Sequence, residues 1–67
     1  MTAPEYLAAL AKVGLDRSTA GQFFGAHRVT GYKWASAGPP ESVAMLLRLM
    51  IRLEYTPEQI KKLIGAD

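Results

Sequence analysis

The stretch 15-LDRSTAGQFFGAHRVTGYKW-34 decides the fold. Asp16 offers a side-chain acceptor ahead of a helix start at Arg17. Ala20, Phe23 and Phe24 follow at the i, i+3, i+4 spacing of one core-facing surface. Gly25 closes that helix at about Phe24. Only Ala26 and His27 separate it from a second segment, Arg28 to about Ser36, which Gly38-Pro39-Pro40 then breaks. Two short helices joined by so tight a turn cross steeply. The crossing asks for a small residue on the first helix, glycine in the turn and a large apolar anchor on the second. Gly21, Gly25 and Trp34 stand at those three places.

On either side the spacing stays helical, and no stretch of four or more residues alternates apolar and polar as a half-buried strand would. Thr2-Ala3-Pro4-Glu5 has the form of a capping box. A helix from about Pro4 to Val13 follows, with Leu7, Leu10 and Ala11 on its inner face and Gly14 as its stop. After the Gly-Pro-Pro break, a helix over Glu41 to Leu53 carries Val43, Leu46, Leu47, Leu49, Met50, Ile51 and Leu53 over an arc of roughly 200°. That arc is wider than one core contact uses. Arg48 and Arg52 share a narrow stripe with Glu41 and read as a solubilising face. Thr56-Pro57-Glu58-Gln59 opens a last helix to about Ile64, whose negative end Lys61 and Lys62 favour. The chain is expected to be all-α, a single compact five-helix domain over residues 1–67.

Length and composition set the bounds. Sixty-seven residues make one domain, and 49% hydrophobic residues suffice for a core. With no cysteine and one histidine, disulfides and a metal site are not expected. The acidic start MTAPEY and a longest apolar run of six residues, Tyr6 to Ala11, fit neither a signal peptide nor a membrane span. A soluble chain, cytoplasmic if bacterial, is the expectation. The glycines match no nucleotide-binding loop, no catalytic set is present, and neither an enzyme nor a cofactor or small-molecule ligand is expected. The net charge of +2 becomes informative by position. Residues 1–16 and 53–67 each carry −1, whereas residues 17–52 carry +4. From Arg17 to Pro40 stand Arg17, Arg28 and Lys33 with no carboxylate, the footprint of phosphate contact.

The layout of Gly21, Gly25, Trp34, the Gly-Pro break and the Leu-rich helix 43-VAMLLRL-49 resembles the lambda-repressor-like, or Xre/Cro-type, helix-turn-helix family, over about Leu15 to Leu53. The resemblance implies a small DNA-binding transcriptional regulator, a repressor or autorepressor of phage or mobile-element type. In such proteins the third helix enters the major groove, and two copies pair on a palindromic operator. It places Arg28, Val29, Tyr32 and Lys33 at base-reading positions. Arg28 would pair with guanine, Val29 would touch a thymine methyl, and Lys33 would reach guanine or phosphate. Arg17, with Ser18 and Thr19 as hydroxyl and amide donors, would hold phosphate. His27, at the helix start, is open to three roles: cap, phosphate contact or bystander. Trp34, Phe23 and Phe24 read as core. The dimer interface is expected at Leu46, Leu49, Met50, Leu53, Ile60, Leu63 and Ile64.

Two positions differ from that family's usual pattern. Gly21 stands where alanine is common, at a helix cost of about 1 kcal/mol. Gly31 stands where valine or isoleucine faces the core. Either Val29 or Tyr32 fills the space by a small rotation, or the third helix is loosely held until DNA orders it. The competing readings are a helical protein-interaction module, adaptor or antitoxin-like, with a vestigial helix-turn-helix, and an excisionase-like DNA-bending protein.

Overall fold

Three helices begin on a side chain that accepts otherwise orphaned amides. Thr2 and Glu5 form a reciprocal box, with the Thr2 amide donating to Glu5 Oε1 at 2.8 Å and the Glu5 amide to Thr2 Oγ1 at 3.3 Å. Those bonds hold the Glu5 carboxyl below the usual carboxylate range. Thr56 and Gln59 repeat the pattern, and Asp16 caps the second helix. The computed structural model describes residues 1–65. It contains α1 (Ala3–Val13), α2 (Arg17–Phe23), α3 (Arg28–Ala37), α4 (Glu41–Leu53) and α5 (Pro57–Ile64), with no strand among the described residues.

The core is built from one stripe each of α1 and α4 plus Ala20 of α2. On α1 the inner stripe is Tyr6, Ala9, Leu10 and Val13, so the expected face is corrected: Leu7 is 40% exposed and Ala11 also lies outward. The phase is set by Tyr6, whose ring buries more area than a leucine and meets the Trp34 ring edge-on at 6.3 Å. Trp34 meets Phe24 at 6.1 Å and Phe24 meets Phe23 at 5.0 Å, so four rings run from α1 through α3 into α2. The Tyr6 hydroxyl is buried with no protein partner, and burial pushes its pKa up. Leaving such a group unpaired costs about 1–3 kcal/mol, which the buried ring offsets. On α4 the inner stripe is Val43, Ala44, Leu47 and Met50. Met50 is fully buried, which removes it from the expected dimer interface: the i, i+4, i+7 spacing of Val43, Leu47 and Met50 points it at the core.

Helices α2 and α3 meet backbone to backbone. A Cβ built on Gly21 would lie 2.3 Å from the His27 carbonyl oxygen and 2.9 Å from the Gly31 nitrogen. One built on Gly31 would lie 2.8 Å from the Gly21 nitrogen and 3.0 Å from the Arg17 carbonyl oxygen. The two backbones touch with no side chain between them. The expectation of a vacancy at Gly31 is therefore corrected. Gly31 is buried, nothing rotates inward to fill a gap, and Val29 and Tyr32 are 73% and 43% exposed.

Alanine normally stabilises a helix over glycine by up to about 1 kcal/mol. At these two positions the sign reverses. Gly21→Ala and Gly31→Ala should each lower stability by about 1–3 kcal/mol, as overpacking does, with the larger loss at Gly21. Thermal melting followed by circular dichroism checks this; an unchanged or raised melting temperature would contradict the seam.

Candidate nucleic-acid interface

Gly31 fixes which way the rest of α3 points. At about 100° per residue, Ala35 and Trp34 flank Gly31 on the inner side, whereas Val29, Lys33 and Ser36 fall opposite it, with Tyr32 on one shoulder. The burial pattern agrees: Thr30, Trp34 and Ala35 are half-buried, and Arg28, Val29, Tyr32, Lys33 and Ser36 are exposed. The four expected base-reading residues thus share one open surface. Ser36 joins them, and sequence reading missed it. Its place three residues after Lys33 and seven after Val29 was the available signal. Its hydroxyl donates to the Lys33 carbonyl oxygen at 3.1 Å.

The electrostatics of this surface are one-signed. Among the described residues the ion pair is Arg48 with Glu41, 3.3 Å apart and both exposed on α4. Arg17, Arg28 and Lys33 have no carboxylate partner there. The start of α3 is uncovered as well. His27 occupies the N-cap with no side-chain hydrogen bond, and no acidic residue follows in the first turn. Its imidazole is exposed, so the capping role considered for it is not used. The positive end of the α3 dipole is left to solvent.

The start of α2 is the opposite case. The Ser18 and Thr19 amides both donate to Asp16 Oδ1 at 2.9 Å, and both hydroxyls donate to the same carboxylate. The hydroxyl bond from Ser18 and the amide bond from Thr19 do most to hold the Asp16 carboxyl below its ordinary value. The expected use of Ser18 and Thr19 as phosphate donors is corrected for this reason: their donors are spent on the cap, beside a negative charge that repels phosphate. Arg17 remains exposed beside the α2–α3 seam.

A second feature lies away from α3. An open groove of about 470 Å³ runs between α2, α4 and α5, lined by Leu15, Phe23, Leu46, Ile60 and Ile64 among others. No α5 residue is fully buried; Ile60 packs against the core, and Leu63 and Ile64 are 65% and 70% exposed. On α4, Met45, Leu49 and Leu53 form an exposed i, i+4, i+8 stripe beside half-buried Leu46. Of the expected interface, Leu49, Leu53, Leu63 and Ile64 are open, and Leu46 and Ile60 are partly so.

No family model, curated protein or solved structure matches the chain. No group of three or more metal-ligating side chains occurs among the described residues, and no helix is long and apolar enough to cross a membrane.

Because the Asp16 carboxyl is held low in the folded chain, its contribution to stability is complete above the unfolded value. It is lost as the pH falls through the folded one. Melting temperatures measured from pH 7 to pH 2 should drop on the acid side, most steeply below about pH 4. Asp16→Asn should shrink that drop, leaving the part carried by Glu5.

Proposed function

We propose that the chain is a sequence-specific double-stranded DNA-binding module, a small transcriptional regulator of the lambda-repressor-like helix-turn-helix kind. One observation carries the reading. The glycine seam takes over the packing of α3 on α2, so Arg28, Val29, Tyr32, Lys33 and Ser36 all stand free on one carboxylate-free surface. A ten-residue helix is about 15 Å long and suits a major groove about 12 Å wide. Arg28 and Lys33 supply donors to guanine edges or phosphates. Arg17 and His27, with the uncapped start of α3, supply positive charge to the backbone on either side.

A homodimer completes the reading. One short helix reads few base pairs, and two copies bind half-sites about 34 Å apart, one turn of DNA. A body of 30 × 23 × 18 Å fits beside its copy at that spacing. The pairing face we assign is the open apolar surface of α4 and α5, with Leu49 and Leu53 at its centre. The same surface favours a second reading, a helical module that docks on another protein.

Two experiments test these points. Selection from a randomised duplex library, followed by fluorescence anisotropy, should yield a preferred site whose affinity falls steeply with salt. Arg28→Ala and Lys33→Ala should weaken binding to it about tenfold or more each, with melting temperatures nearly unchanged. Absence of any complex at low salt would defeat the DNA reading and leave the protein-docking one.

Sedimentation equilibrium at tens of micromolar should show a dimer that Leu49→Glu and Leu53→Glu convert to monomer. The same variants should bind the full site less tightly. A monomer at high micromolar concentration, with and without DNA, would remove the dimer.

A further inference from the structure

The outward row of α4 is Met45, Leu49 and Leu53, all exposed and four residues apart. Rows of that spacing run obliquely along a helix, and two of them laid along one another cross their helices at about 50°, the commonest packing class. Leu49 stands at the middle with an unbranched or leucine side chain of similar size on each arm. The two flanks of the row differ. One carries Arg48 and Arg52; the other carries half-buried Leu46 and leads into the groove beside Ile60 and Ile64. Arg48 is held by Glu41 at 3.3 Å, whereas Arg52 has no carboxylate partner among the described residues.

A two-fold axis can relate two copies of this row in two ways. With the helices parallel, the arginine flank of each copy lies over the Leu46 flank of the other. Arg52 is then taken out of water with no partner, which costs more than the apolar contact returns. With the helices antiparallel, each flank meets its own copy. Leu46 and the groove join across the axis into one apolar seam, and the arginines of both copies stay at a hydrated rim. A flat apolar surface on a different protein would bury Arg52 as the parallel pair does. The second copy in antiparallel is the occupant that covers the row and leaves the cation wet.

Resting on the homodimer reading above, we propose that two copies pair antiparallel through α4 with the two-fold axis at Leu49. Leu49 meets Leu49 of the partner subunit, and Met45 meets Leu53 of the partner subunit. At 1.5 Å per residue, Met45 and Leu53 stand about 6 Å from the axis on opposite sides. The two Met45 residues are therefore about 12 Å apart along the row, and so are the two Leu53 residues. A disulfide needs its two Cα atoms within about 7 Å, so the register dictates which positions can be linked.

The chain has no cysteine of its own, so cysteines introduced singly into the full chain report the register. On mild oxidation Leu49→Cys should form a disulfide-linked dimer. Met45→Cys alone and Leu53→Cys alone should not, and a mixture of those two variants should. All three sites are exposed, so the variants should keep the melting temperature of the parent. Sedimentation equilibrium of the parent chain runs alongside. Its association should hold or tighten as salt rises, because screening relieves the arginines gathered at the rim; DNA binding responds in the opposite sense. Linking by all three variants singly would mean a parallel pair. A dimer in sedimentation with no link at any of the three positions would mean pairing through another surface, and a dimer that salt dissociates would mean ion pairs across the interface. Each of these results overturns the proposal and leaves the homodimer standing. A monomer at high micromolar concentration, with and without DNA, would instead remove the homodimer, and this proposal with it.

Discussion

The bare backbone contact between Gly21 and Gly31 sets where α3 lies and which of its faces is seen. Helix axes usually stand 8–10 Å apart because side chains fill the space between them. Here a Cβ on either glycine would overlap main-chain atoms of the other helix, His27 O on one side and Gly21 N on the other. Neither overlap can be relieved by swinging a flexible side chain aside. Docking is thus steric fit between main chains, reinforced by the Tyr6–Trp34–Phe24–Phe23 run of rings that ties α1 and α2 to the inner side of α3.

The same geometry sorts the polar chemistry of the two helix starts. Asp16 closes the start of α2 so fully that both neighbouring hydroxyls and both amides turn toward it. At the start of α3 the His27 carbonyl packs against Gly21 and the imidazole is left out in solvent. One helix end is thereby neutralised and the other kept positive, eleven residues apart in sequence. An anion approaching this side of the molecule meets Arg28, Lys33 and an open helix start rather than a carboxylate.

Much of this was legible in the residues because caps and breakers act locally. Thr2 with Glu5, Asp16, Thr56 with Gln59, and the Gly-Pro-Pro break placed the helix boundaries within a residue or so of where they stand. What failed was phase and pairing, which depend on partners distant in sequence. The first helix turns Tyr6 inward and Leu7 outward because of Trp34, a residue on another element. Met50 belongs to the core and Leu49 to the surface, although the apolar arc of α4 alone does not divide them. Gly31 looked like a hole when judged by itself; its meaning lay in Gly21, ten residues earlier, where a second missing side chain lets the backbones meet. The fate of Ser18 and Thr19 was likewise hidden, since one carboxylate accepts from both.

Because two residues without side chains carry the α2–α3 junction, the outward side chains of α3 contribute little to holding the helix in place. In a junction built from bulky residues, changes on the outer face disturb the packing through shared backbone adjustments. Here the outward side chains and the contacts that dock the helix are separate sets of residues on the same ten-residue helix. Positions 29, 32, 33 and 36 can vary in size and charge over one unchanging scaffold. The chemistry of that outer face is thus changeable one substitution at a time, without passing through unstable intermediates, whereas the two glycines constrain each other and neither tolerates a side chain.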